Sequence, residues 1–105
     1  MNVLFICSRN KWRSPTAEQI YKNREDHQFR SAGTEPSAKK KVSAKDILWA
    51  DLIFAMEKEH KQRLLEKYPE EMKSRKIVIL DITDEYQFMD EELVAMIRIS
   101  VDRYL

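Results

Sequence analysis

Short apolar runs alternating with segments of helical patterning predict an α/β fold: three layers, α/β/α, around a four-stranded parallel sheet. Two observations carry this. The strand segments read as continuous runs, the pattern of strands covered on both faces. They also follow one another with a helical segment between each pair, the spacing that parallel connections need. No repeat or low-complexity segment competes, and 105 residues suit one domain spanning 1–105.

Asn2 to Ile6 is too short for a helix and is bounded by polar residues, so it reads as a buried strand. Ser14 fits an N-cap with Pro15 at the first helical position, and this helix is expected to run to about His27. Ala17, Ile20 and Tyr21 would face inward. Phe29 to Ala32 is a second strand, stopped by Gly33, the only glycine and hence expected at positive φ. Thr34 to Val42 is polar, basic and holds Pro36, which makes it loop, with Lys39, Lys40 and Lys41 solvated. Ser43 caps a short helix, Ala44 to Ala50, in which Trp49 is assigned to the core. Leu52 to Ala55 is the third strand. Glu57 to Tyr68 is a helix with acids early and Lys67 late, ended by Pro69. Ile77 to Leu80 is the fourth strand, Asp81 to Met89 a loop, and Asp90 to Tyr104 the final helix, apolar at Leu93, Val94, Ile97, Val101 and Tyr104. His27 and His60 are placed on helix ends or surfaces and given no role.

Composition narrows the function. A net charge of +1 argues against nucleic acid and acidic membranes as partners. No apolar run approaches the 18 or so residues of a membrane span, and the first strand carries no basic leader. The single cysteine can form no internal disulfide, and no Cys/His cluster has zinc spacing. A reducing cytoplasm is the expected location.

Ligands of parallel sheets bind beyond the carboxyl ends of the strands. Cys7 lies at that end of the first strand, and Asp81 and Asp84 follow that end of the fourth. Between Cys7 and Arg13, the residues Ser8, Arg9, Asn10, Lys11 and Trp12 form a tight loop that precedes a helix start. Its backbone N–H groups and the helix terminus favour an oxyanion, and Arg13 adds a planar fork of donors that matches two phosphate oxygens. A cysteine in such a field is expected largely as thiolate, the form that attacks phosphorus. Ser14 could donate its hydroxyl to that thiolate. A leaving alcohol needs a proton from a separate acid, for which Asp84 is the first candidate and Asp81 the second. Tyr86 follows in the loop facing the cradle. The chemistry requires neither metal nor cofactor.

The segment Leu4-Phe5-Ile6-Cys7-Ser8-Arg9-Asn10-Lys11-Trp12-Arg13-Ser14-Pro15-Thr16-Ala17-Glu18 closely resembles the signature of the low-molecular-weight protein tyrosine phosphatases. Ser31-Ala32-Gly33-Thr34, Ala50-Asp51-Leu52-Ile53-Phe54-Ala55-Met56 and Leu80-Asp81-Ile82-Thr83-Asp84-Glu85-Tyr86 extend the likeness in the right order. It implies a four-stranded sheet of flavodoxin-like winding and a cysteinyl-phosphate intermediate. The substrate would be a phosphotyrosine protein or a small aryl phosphate, and phosphate or sulfate would bind. By position, Cys7 matches the nucleophile, Arg13 the phosphate clamp, Asp84 the general acid and Ser14 the serine bonded to the thiolate. Asn10 matches the asparagine that holds the loop's shape, and Tyr86 an aromatic residue beside the substrate ring.

Arg9 stands where that family usually has glycine, Trp12 replaces a second cysteine, and Glu85 replaces a proline. The stretch between Gly33 and Ala50 is short for the family, which suggests a shallower, more open site. Two other readings compete. One is an oxyanion-binding or regulatory module that kept the cradle but lost turnover. The other is a phosphocarrier like the sugar phosphotransferase IIB proteins, against which Arg13 and Asp84 count. Arsenate reduction through a cysteine relay is excluded by the single cysteine.

Overall fold

In the computed structural model, which describes residues 1–105, the apolar runs become β1 (Asn2–Cys7), β2 (Gln28–Gly33), β3 (Leu52–Ala55) and β4 (Lys76–Ile79). They pair in parallel in the order β2-β1-β3-β4. Cys7 therefore lies opposite Gly33, and Ile6 opposite both Ala32 and Ala55. The helices are α1 (Arg13–Tyr21), α2 (Ala44–Trp49), α3 (Lys58–Lys67), α4 (Pro69–Met72) and α5 (Glu91–Val101), closed by a single tight turn, Asp102–Tyr104. None is long and apolar enough to cross a membrane.

β1 occupies the centre and is apolar on both faces because both are covered. Val3, Phe5 and Cys7 point to one side, where they pack with Ala17 and Tyr21 of α1 and Leu93, Ile97 and Val101 of α5. Leu4 and Ile6 point to the other, against Ile47, Leu64 and Met72 of α2, α3 and α4. This two-residue alternation lets every side chain of a central strand be buried. Phe5 stacks on Tyr21, Phe29 and Phe54, which ties α1 to the three neighbouring strands. Trp49 lines the second core, as expected, beneath the guanidinium of Arg30 at 4.1 Å.

Several boundaries differ from the sequence reading. The first helix ends at Tyr21, not near His27, because residues 22–27 are polar and have no core to cover. They form a turn instead, and His27 bonds the N-terminal amine at 3.1 Å. The helix starts at Arg13 with Trp12 at the cap position; Ser14 is buried inside the first turn and caps nothing. Pro69 does not simply end α3 but opens α4, where its missing N–H costs nothing. Ser43 caps α2 as expected, with reciprocal bonds to Asp46.

Gly33 is not at positive φ. Its lack of a side chain answers a close approach. A Cβ there would fall 2.6 Å from the Ser8 carbonyl oxygen, 2.7 Å from Ala38 Cβ and 2.9 Å from the Asn10 nitrogen. The loop after β1 and the segment 34–42 both press onto this residue. The left-handed positions are Asn10, Asp81 and Met89, so Arg9 sits where glycine is usual without left-handed backbone.

Candidate active site

The loop between β1 and α1 is built by its neighbour. Segment 34–42 runs beside it, and the amides of Thr34, Glu35 and Lys39 donate to the carbonyls of Cys7, Ser8 and Arg9 at 2.9 to 3.0 Å. In a trans peptide the N–H points opposite to the C=O. With these three carbonyls turned outward, the N–H groups of Ser8, Arg9 and Asn10 face the opposite side. The Asn10 amide indeed reaches Cys7 Sγ, at 3.2 Å. A left-handed φ of 54° at Asn10 lets the chain curl back over the sulfur, and asparagine tolerates that conformation better than most residues.

A directional chain of hydrogen bonds sets the sulfur's polarity. Asn10 Nδ2 donates to Ser14 Oγ at 2.9 Å and to Ser31 Oγ at 3.0 Å, and Ser31 donates onward to Glu18. Ser14 Oγ, already an acceptor, keeps its proton for Cys7 Sγ at 2.9 Å. The Asn10 amide and the Ser14 hydroxyl thus both converge on the sulfur. Burial explains why Ser14 serves the sulfur in place of capping the helix.

Arg13 is 2 % exposed, and a buried guanidinium must be paired. Its Nη1 donates to Glu57 and to the Ile82 carbonyl at 2.7 Å, while Nε stands 3.6 Å from Asp84 Oδ1. Glu57 immediately precedes α3 and Ile82 follows β4, so two strand ends fix this one side chain. Cys7, Arg9, Lys11, Trp12, Arg13 and Asp84 line a common slot of about 20 Å³. That volume is small, and three cationic side chains, Arg9, Lys11 and Arg13, share its lining with Trp12 and Asp84.

The slot gathers most of the residues expected from sequence, but not all. Asp84, 55 % exposed, stands at its edge. Asp81 does not; it is turned by a left-handed φ and borders a separate acidic cavity with Glu57, Glu59 and Thr83. Tyr86 is also absent from the slot; its side chain is half-buried and packs against the core on the α1 and α5 face of the sheet. Ser8 contributes backbone to the loop, and its hydroxyl goes to His60. Glu85 accepts a hydrogen bond from Thr83 at 2.7 Å, a local tie in the stretch where proline is usual.

Sequence patterning singles out neither Glu57 nor His60 and places His60 on a helix end or surface. His60 is 1 % exposed. The Glu57 backbone N–H donates to His60 Nδ1 at 3.0 Å, so the ring proton resides on Nε2 and is donated to Ser8 Oγ at 2.9 Å. The available signal was position: Glu57-Lys58-Glu59-His60 directly follows the carboxyl end of the third strand, the ligand-binding side of such a sheet. Glu57, Glu59 and His60 place one ligand atom each within 4.8 Å of one another, but both imidazole nitrogens and the Glu57 carboxylate are already engaged.

Burial, reinforced by the nearby Arg13 charge, pushes the His60 pKa down from 6.5 to about 4. Between these values the unfolded chain binds the extra proton and the folded one does not. Stability should therefore fall as pH drops through that window, by on the order of 2 kcal/mol. Urea unfolding near neutrality and at about pH 4.5 checks this, with His60→Asn, which keeps a donor and an acceptor, expected to lose less on acidification. Equal losses in both proteins would contradict a neutral buried imidazole.

No protein-family model matches the sequence, and no curated protein matches it. Solved structures do. A low-molecular-weight protein tyrosine phosphatase from Streptococcus pyogenes superposes with a TM-score of 0.81 at 20 % identity, covering 99 % of this chain and 90 % of that one. The YwlE arginine phosphatase of Geobacillus stearothermophilus gives 0.76 at 22 % identity, with coverage of 98 % and 92 %. A low-molecular-weight protein tyrosine phosphatase from T. tengcongensis gives 0.72 at 25 % identity, with coverage of 100 % and 99 %. With its sheet order, its loop after β1 and these superpositions over nearly the full length, the chain has the low-molecular-weight protein tyrosine phosphatase fold.

Proposed function

We propose that this protein is a phosphatase that hydrolyses phosphate monoesters, aryl phosphates and phosphotyrosine above all, through a cysteinyl-phosphate intermediate. The observation that carries this reading is the Cys7 sulfur, held by the Asn10 amide and the Ser14 hydroxyl in the same slot as Arg13 and Asp84. The likeness to tyrosine and arginine phosphatases of solved structure supports it.

The thiolate attacks phosphorus while the loop amides and the free Nη2 edge of Arg13 stabilise the equatorial oxygens. The bond to the leaving oxygen breaks, and that oxygen takes its proton from Asp84. Asp84 then removes a proton from the water that cleaves the S–P bond, releasing phosphate and restoring the thiolate, which Ser14 and Asn10 receive with their hydrogen bonds. The single free cysteine suits a reducing compartment, consistent with the cytoplasm.

Release of p-nitrophenol from p-nitrophenyl phosphate by the purified protein tests the proposal. Asp84→Asn should lower kcat on phosphotyrosine by about 10²-fold and on p-nitrophenyl phosphate by less, because nitrophenolate leaves without needing a proton. Equal loss on both substrates would remove Asp84 from the acid role. Arg9 and Glu85, standing where glycine and proline are usual, motivate a second reading, an oxyanion-binding module without turnover; it predicts phosphate binding with no release of nitrophenol.

A further inference from the structure

The edge that carries the slot is electrically lopsided. On the side of α1 and segment 34–42, two cavities of about 530 and 380 Å³ adjoin it, and Lys11 lines all three spaces. Lys39 lines both flanking cavities, and Lys40 lines the larger. Neither these lysines nor Arg9 has a carboxylate within 4.0 Å. Lys39 is fixed beside the loop by its backbone bond to the Arg9 carbonyl. The one carboxylate in the larger cavity, Glu18, is engaged by Ser31. On the other side, beyond Arg13, a cavity of about 490 Å³ is bordered by three carboxylates, Glu57, Glu59 and Asp81, against one cation, Lys58.

The basic side also offers apolar surface. Trp12, Pro15 and Phe88 line the larger cavity, and Phe88 is 49 % exposed. Cations beside exposed aromatic surface suit a chain with acidic and apolar side chains better than a small polyanion, which has no use for the aromatics. The molecule's net charge of +1 means this field is local, so it orients a bound chain without attracting anions in general.

Building on the phosphatase reading, we propose that the substrate is a phosphorylated peptide segment with an acidic flank. That flank lies along Lys11, Lys39 and Lys40, and a neutral or basic flank lies toward Glu59 and Asp81. The charge asymmetry fixes the direction in which the segment crosses the slot.

The test compares kcat/KM for phosphotyrosine peptides carrying glutamates on the N-terminal side only, on the C-terminal side only, or lysines on both. One glutamate peptide should exceed the lysine peptide by roughly fivefold or more, and exceed the other glutamate peptide too, with the gap closing at high salt. The Lys40→Glu variant should lose most of this preference while turnover of p-nitrophenyl phosphate stays unchanged, since Lys40 lines the flanking cavity and not the slot. Equal rates on all peptides, or a preference that survives undiminished in Lys40→Glu, would overturn the proposal. If p-nitrophenyl phosphate is not hydrolysed, the phosphatase reading fails by itself. Anisotropy binding of the same labelled peptides then decides the docking surface, with a glutamate preference supporting it and equal affinities refuting it.

Discussion

Cys7→Ser should abolish turnover and leave the fold and the phosphate grip in place. Cys7 is buried at the end of the central strand, and serine is slightly smaller, so the core on that side changes little. The replacement oxygen can still accept from the Asn10 amide and meet Ser14. What it lacks is nucleophilicity, since a hydroxyl is a far weaker acid than a thiol and stays protonated near neutral pH. The expected loss in kcat is about 10⁴-fold or more on p-nitrophenyl phosphate. Titration with inorganic phosphate, followed by calorimetry, should give a dissociation constant close to that of the wild type. Residual activity above about one per cent of wild type would mean that the sulfur is not the attacking atom.

Arg13→Ala should be nearly as damaging to activity and more damaging to stability. Charge develops on the phosphoryl oxygens in the transition state, and Arg13 is the one guanidinium buried at the slot. Loss of an arginine in this role costs on the order of 10³-fold in kcat/KM. The same substitution strands Glu57 and the Ile82 carbonyl, which now share Nη1. Glu57 is 30 % exposed and can recover some hydration, so the stability cost should be about 2 kcal/mol, below that of a fully buried pair. Arg13→Lys tests whether charge alone suffices. One ammonium cannot hold Glu57 and the Ile82 carbonyl while also presenting two donors to an anion, so most of the activity should remain lost. Steady-state kinetics with thermal melts of the three proteins checks this, and wild-type kcat/KM in Arg13→Lys would count against a bidentate clamp.

What sequence revealed and what it hid have separate physical origins. The strands were legible because a covered parallel sheet demands uninterrupted apolar runs, and residues 52–55 are buried throughout. Cys7, Asn10, Arg13 and Ser14 were legible because one tight loop holds them within eight consecutive residues. Glu57 and His60 were not, because pairing of β1 with β3 brings them to the loop from more than forty residues away. Chain-local rules also failed where burial overrode them. Ser14 has the chemistry of a cap but sits where the sulfur needs a donor. Gly33 has the freedom to adopt left-handed backbone but is required for its missing Cβ. Tyr86 lies close to Asp84 in sequence, yet its ring covers the core.

The nine residues from Thr34 to Val42 belong to two functions at once. Their amides hold the outward-facing oxygens of the neighbouring loop, and their lysines stand where an incoming chain would pass. Grip strength and choice of cargo are consequently coupled. Lengthening, trimming or grafting this ribbon would retune both together, so new selectivity is better sought at individual side chains such as Lys40 than by exchanging the whole stretch.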